Sequence, residues 1–282
     1  MSPVLAAREL RSYLRAWERH HVRFGVVCSR PRLALCHSVF SSACVDVPVD
    51  EIPAIGGSQD TPFAVAVADD VLVYRFPYGH ANARLRGERN AHFLDAAKLQ
   101  QGFLPLQNSP AKRIPAVILP IAHVYPTERL DFNNFLGRLT GFLDTLVHGS
   151  DNSGCCGPGR LRYAVELHNS EYLLPEYFSS LERYGVTHVL NTTATMPSLL
   201  EQIQLPHVLT TDRVIVRTAA GGDSEWLLGI METVRRCVSE KKELYVYFSE
   251  GEDFRTESTL KTLMNMLSSD LAKLSPIRRN AA

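Results

Sequence analysis

The chain lacks an excess of either charge. It carries 30 Lys+Arg and 30 Asp+Glu, so its formal net charge is zero. A balanced chain feels no global pull toward nucleic acid or anionic lipid, although local basic patches stay open. It also lacks a long apolar run. None approaches the roughly 18–20 residues a membrane helix requires, so no membrane association is expected. No C-x-x-C pair occurs among Cys28, Cys36, Cys44, Cys155, Cys156 and Cys237, and no secretory signal opens the chain. These cysteines read as reduced thiols of a cytoplasmic protein. Cys155 and Cys156, in a glycine-rich stretch, are the pair open to surface oxidation.

Several signatures of chemistry are missing as well. The segment GSDNSGCCGPGR has no G-K-[ST] ending and precedes a strand instead of following one, so it is not a phosphate-binding P-loop. There is no G-x-S-x-G nucleophile elbow and no H-E-x-x-H. The histidines outside residues 166–169 are scattered without ligand spacing. No metal and no cofactor is therefore expected. There is no internal repeat.

What is present is a rhythm. With 282 residues and 45% hydrophobic content, the chain can build one large α/β domain with a full core. Residues 161–266 alternate strand and helix four times. The strands fall at 161–166, 186–190, 214–217 and 244–248, each a brief apolar run with little polar alternation. Such runs suit strands buried on both faces of a parallel sheet wrapped by helices. The earlier half continues the pattern: strands at 22–28, 63–67, 71–74 and 114–121, the last interrupted by Pro120. Helices are expected over 88–103, burying Phe93, Ala96, Ala97 and Phe103, and over 132–147, burying Phe135, Leu139, Phe142, Leu143 and Leu146. Residues 31–55 are hard to read. Cys44-Val45-Asp46-Val47 is strand-like, but Pro31, Pro48 and Pro53 interrupt regular pairing. Residues 76–86 read as an exposed loop.

The expectation is a TIM-type β/α barrel, irregular or incomplete at its N-terminal strand. It divides into an N-terminal segment 1–22, a single barrel domain 23–270 with a loop insertion at 149–159, and a tail 271–282. The N-terminal segment admits two readings. Arg8, Arg11, Arg15, Arg19, Arg23, Arg30 and Arg32 against only Glu9 and Glu18 give the profile of a mitochondrial or other organelle transit peptide. The same stretch places Leu10, Tyr13, Leu14, Trp17 and His21 on one helical face, which suits the first helix of the domain.

Polar residues gather where strands end, and in β/α barrels that rim carries binding and chemistry. Glu166 and His168 share one face of their strand because side chains alternate with period two. A carboxylate beside an imidazole can do acid–base work, or can stitch the barrel mouth together. Asn191 ends the next strand. Arg217 is followed by Gly221 and Gly222, with Asp223 or Ser224 to cap a helix. A strand, glycine turn and helix start expose backbone N–H groups to an anion, and Arg217 would add a fixed charge. Asp223 argues against that, since its carboxylate would fill the same place. Glu250, Glu252 and Asp253 follow the last strand; they would repel phosphate and suit a cation or a hydroxyl-bearing ligand, or form a solvated loop.

Ala164-Val165-Glu166-Leu167-His168 and Tyr245-Val246-Tyr247-Phe248 resemble the YecE-like family, the domain of unknown function numbered seventy-two. Val117-Ile118-Leu119-Pro120-Ile121 and Phe63-Ala64-Val65-Ala66-Val67 sit where that family has its middle strands. The likeness spans about residues 63–267. It implies a β/α barrel similar to the xylose-isomerase and endonuclease-IV-like barrels, and it brings a fold more than an activity. The chain departs from the family's pattern at several points. The G-T-S-G-W opening strand is absent, and the family's Gln before its Pro pair aligns with Pro120. The Arg-His after the family's Glu is His168-Asn169 here. The His of the Y-V-R-x-H-G segment is Ala219, and the two Asn after Y-x-Y-F are Ser249-Glu250. Glu166 and Arg217 persist, which is the pattern of a diverged member and fits a pseudoenzyme.

Three functions follow. The first is a barrel that binds or transforms a small polar or phosphorylated ligand at the rim, with Glu166 and His168 as the acid–base pair and Arg217 as anchor. The second is a non-catalytic barrel that serves a protein partner in assembly. The third is a nucleic-acid enzyme, against which the zero net charge and the acidic residues 250–253 weigh.

Overall fold

The computed structural model describes residues 11–12, 14–28, 40–48, 63–100, 116–124, 130–148, 161–219, 224–249, 262–267 and 269. Strands β1 (Val22–Cys28), β2 (Ser42–Pro48), β3 (Phe63–Ala68), β4 (Val117–Ile121), β5 (Tyr163–Leu167), β6 (Thr187–Asn191), β7 (Arg213–Ala219) and β8 (Glu243–Ser249) follow one another around a closed barrel in chain order. Every neighbouring pair is parallel, and β8 closes on β1 with Val22 opposite Leu244. Helices α1 (Phe132–His148), α2 (Pro175–Arg183), α3 (Leu199–Gln204) and α4 (Ser224–Ser239) alternate with the later strands. This is a TIM-type β/α barrel. The N-terminal strand expected to be irregular is present and paired on both sides.

Period two splits each strand between two cores. Outward side chains join the helices in one large cluster, to which α1 gives Phe135, Leu139, Phe142 and Leu143. Inward side chains form a separate cluster inside the ring: Cys44, Ala64, Ala66, Ile118, Ala164, Val189, Ile215, Tyr245 and Tyr247. Its numbering fixes the inward positions, even on β2–β5 and odd on β6–β8. Alanines on β3 and β5 leave the space that two tyrosines of β8 fill. Gly25 on β1 belongs to the same arrangement. A Cβ there would stand 2.6 Å from the Ser42 carbonyl oxygen and 2.9 Å from the Tyr247 ring. Without one, Tyr247 lies across the lumen and its hydroxyl reaches Ser42 Oγ at 3.1 Å.

At the strand starts the lumen is closed by charge. Arg213 donates from Nε and Nη2 to Glu243 Oε2 at 3.0 and 2.8 Å. Arg23 Nη1 and the Tyr245 hydroxyl donate to Oε1 at 2.6 and 2.8 Å. Both guanidinium groups also sit over the Tyr245 ring, at 5.4 and 5.5 Å. Burial pushes the Glu243 carboxyl up, but Arg213 and the hydrogen bonds outweigh it and hold it below the usual carboxylate range.

The structure departs from the sequence expectations at several places. Residues 71–74 are not a strand. Asp70–Leu72 is a 3-10 turn capped by Asp69, whose Oδ1 accepts from Val71 N at 2.8 Å, so its apolar pair Val71 and Leu72 is buried from a turn. The helix expected from residue 88 begins only at 96, and Ala97 is exposed. The stretch before it is occupied otherwise, because the Asn90 side chain donates to the Asp70 and Val73 carbonyls and Leu94 takes φ 59. Pro120 lies within β4 and does not end it; the β3–β4 ladder has already stopped at Ile118, so its missing N–H interrupts nothing there. Near the N-terminus, Leu14 and Trp17 are each 1% exposed within the large core. His21 of the same expected face is exposed, since it forms the turn into β1 with φ 60. Leu10, Tyr13, Phe103, the insertion 149–159 and the tail 271–282 lie outside the described residues.

Candidate functional site

Inward parity carries three charged side chains one step above the apolar layer, at the C-terminal ends of their strands. They are Asp46 above Cys44, Glu166 above Ala164 and Arg217 above Ile215. Strands β5 and β7 are not neighbours, and β2 lies three strands beyond β7, so the contacts between these residues cross the mouth of the ring. Arg217 Nη1 donates to Glu166 Oε2 at 2.5 Å and Nη2 to Asp46 Oδ1 at 2.8 Å. His168 Nε2 stands 3.3 Å from Glu166 Oε1. Side-chain exposure grades from 5% at Glu166 through 13% at Arg217 and 24% at His168 to 52% at Asp46. A ligand entering the mouth therefore meets Asp46 before Glu166.

The two carboxylates share one guanidinium but titrate in opposite directions. Burial pushes Glu166 up, yet His168 and Arg217 together outweigh it, so its carboxyl is held below the usual range. For Asp46, burial outweighs the pull of Arg217 and the Glu166 charge adds to it, so its carboxyl is raised. Burial also works against the Arg217 cation, but Cys44, Glu166 and Asp46 overcome it and its pKa is raised. Environments that drive two acids apart assign them different work: Glu166 stays a fixed anion while Asp46 takes up a proton more readily. Beneath them, burial pushes the Cys44 thiol up to about 12, which makes it inert.

Asn191 is opposite Arg217 in register but is engaged locally. Its Nδ2 donates to the Leu167 carbonyl at 3.0 Å, and its Oδ1 accepts from the Thr193 hydroxyl at 2.7 Å. It orders the turn from β6 toward α3. Asn169, noted in the sequence only as the neighbour of His168, ties two rim loops together by exchanging hydrogen bonds with the Val124 backbone at 2.8 and 2.9 Å. Gly221, Gly222 and Glu250 lie outside the described residues. Of the expected rim set, Glu166, His168 and Arg217 meet.

The residue missed was Asp46. Its signal was a lone acid two positions after Cys44 in an otherwise apolar run, where period two places it inside a ring if that run is a strand.

A cleft of about 1100 Å³ opens beside the array. Asp46, Arg217, Ala66 and Pro120 form its inner end, and the segment after β3 forms its wall, including Phe76, Leu85, Arg89, His92 and Lys98. That wall is stapled by its backbone: Phe76 N to Glu88 O and Gly87 N to Phe76 O at 3.0 Å, and Asn90 N to Tyr74 O at 2.9 Å. Among the described residues, no group of three His, Cys, Asp or Glu side chains is placed to hold a metal ion. Among them too, no helix is long and apolar enough to cross a membrane.

A family model described as "Protein of unknown function DUF72" matches residues 73–281. Two solved structures share the fold. A DUF72 family protein from Thermotoga maritima is 15% identical with a TM-score of 0.54, over 88% of this chain and 99% of that one. A DUF72 family protein from Enterococcus faecalis is 12% identical with a TM-score of 0.54, again over 88% and 99%. The search among curated proteins found no match.

Proposed function

We propose, from the premise that this chain belongs to the DUF72 family, that its C-terminal rim binds a small hydroxylated ligand and that Asp46 is the group that exchanges a proton with it. The observation that carries this reading is the engagement of Arg217. Both of its Nη groups are held by carboxylates, at 2.5 and 2.8 Å, while Asp46 remains half exposed toward the cleft. One guanidinium between two carboxylates leaves an acidic floor. Such a floor accepts hydrogen bonds from hydroxyls, and an anion placed on Arg217 would meet the charge of Asp46 and Glu166 beside it. Glu166 then serves as the fixed counter-ion that orients Arg217, with His168 as its second partner. A carboxyl with a raised pKa at the solvent edge of this floor is suited to general acid–base work. The zero net charge and the acidic floor weigh against a nucleic-acid substrate.

The test is a thermal-stability screen of the purified chain against aldoses, polyols and their phosphates. A specific ligand at 100-fold its Kd adds about 2.7 kcal/mol, and that gain is lost in Asp46→Asn. A gain that persists undiminished in Asp46→Asn, or no gain from any of these compounds at millimolar concentration, refutes the reading.

A further inference from the structure

We infer that the outer face of the helix before β1 is a docking strip for a single nucleic-acid strand, whose sugar–phosphate backbone is held by Arg11, Arg15 and Arg19 without regard to base. The strip is separate from the rim and does not rest on the reading given for it.

Residues 11–12 and 14–18 are helical, and Arg19 follows in the closing turn, where His20 N donates to the Trp17 carbonyl at 2.9 Å. Positions four apart share a helix face. At a rise of about 1.5 Å per residue the three arginines leave the backbone about 6 Å apart, in a row about 12 Å long. They share one open trough of about 430 Å³, lined with them by the small residues Ser12 and Ala16. All three are exposed. Like charges at this spacing repel and weaken a helix. Among the described residues no carboxylate stands within ion-pair distance of any of them, and the first cation of the chain to form such a pair is Arg23, with Glu243. Glu18, the acid of the same helix, is among the charges that act on Arg23.

The row is fixed to the barrel. Leu14 and Trp17, each 1% exposed, turn the other face of the helix into the large core. The helix leads into Val22 at the start of β1, the end of the ring away from Asp46 and Arg217. The same burial selects the occupant. An interfacial helix gives its apolar face to the bilayer, and here that face is committed to the barrel. The described residues left exposed are Arg11, Ser12, Arg15, Ala16, Glu18 and Arg19. They offer lipid no apolar side chain larger than alanine, and they offer a base no ring to stack on. Arginine pairs bidentately with phosphate, and phosphate contacts position a strand without reading its sequence. A straight row suits a flexible single strand, which can extend along it, whereas a duplex carries its phosphates along a helical path. The chain is neutral overall, so the attraction is local and sensitive to salt.

The experiment is fluorescence anisotropy of the full chain with two labelled single strands, an oligothymidylate and a mixed sequence, across a salt series. Three phosphate contacts give a slope of log affinity against log salt of about −2, a loss of roughly 20-fold between 50 and 200 mM. The two strands are expected to bind alike. Arg11→Gln, Arg15→Gln and Arg19→Gln each reduce the slope by about 0.7, and the triple variant binds at least tenfold more weakly at low salt. Glutamine is close to arginine in helix propensity and the three sites are exposed, so the variants fold, which a thermal melt checks directly. No binding at 50 mM salt, binding that the triple variant retains, or tighter binding to phosphatidylserine vesicles or to polyglutamate than to either strand overturns the inference. In each of these cases the rim reading stands.

Discussion

Replacing Arg217 by leucine removes the cation that joins Asp46 to Glu166 and leaves Glu166, almost fully buried, with His168 at 3.3 Å as its remaining side-chain partner among the described residues. Breaking a buried ion pair on one side costs about 3–5 kcal/mol, because a charge is left without compensation. The half-exposed Asp46 arm contributes little, ~1 kcal/mol or less, and His168 retains part of the compensation, so about 3 kcal/mol is expected near neutral pH. In a chain of this length a kcal/mol moves Tm by roughly 2 °C, giving a fall of about 6 °C. The pH dependence supplies the sharper readout. In the wild type the Glu166 carboxyl is held below its usual range, so its contribution is present above the unfolded pKa and is lost as pH falls through the lowered folded value. In Arg217→Leu the pull of the guanidinium is gone while the His168 bond stays, so the carboxyl rises from its lowered value. Its penalty is then greatest at neutral pH and is relieved as the group protonates on acidification. The Tm gap between the two proteins should narrow from pH 7.5 to pH 4. Adding Glu166→Gln to the variant should recover more than half of the loss, since removing both partners of a buried pair costs far less than removing one. Thermal unfolding followed by circular dichroism at both pH values measures all three proteins. An unchanged Tm, a gap as wide at pH 4 as at pH 7.5, or a double variant no better than the single one would show that this array does not hold buried charge in balance.

Two packing features give further tests. Gly25→Ala drives a Cβ against the Ser42 carbonyl and the Tyr247 ring, and overpacking of this kind costs about 1–3 kcal/mol; a urea midpoint equal to that of the wild type would mean that the lumen has slack. Trp17→Ala should cost about 3–5 kcal/mol, as for other large side chains buried in a core. A chain shortened by residues 1–20 should then unfold at much lower temperature, whereas an unaltered melt would mark the segment as a dispensable leader.

The barrel was legible where strands are buried on both faces. The runs 161–166 and 186–190, brief and with little polar alternation, overlap β5 and β6, whose residues are buried throughout. Legibility failed where local polar groups override the apolar pattern. Val71 and Leu72 look like strand residues, but Asp69 caps a turn there; Glu88 looks like a helix start, but Asn90 claims two carbonyls outside any helix. Glu166, His168 and Arg217 were readable as rim residues because each stands at or just past a strand end. Their mutual contacts were not, since Glu166 and Arg217 lie 51 positions apart and meet only because the ring closes. Asp46 escaped notice for the same reason. Its run is strand-like but flanked by prolines, and only the closed ring brings Arg217 to it.

The charged plug of Arg23, Arg213, Glu243 and Tyr245, with Tyr247 stacked above it, makes the interior a cul-de-sac. Among the described residues, nothing threads this barrel from end to end. The cleft that reaches Asp46 runs along the wall from Phe76 to Lys98, so those residues stand beside an occupant as it enters and leaves. Substitutions along that wall should therefore alter how quickly an occupant comes and how long it stays, whereas changes at the sealed end should register only in how firmly the molecule holds together.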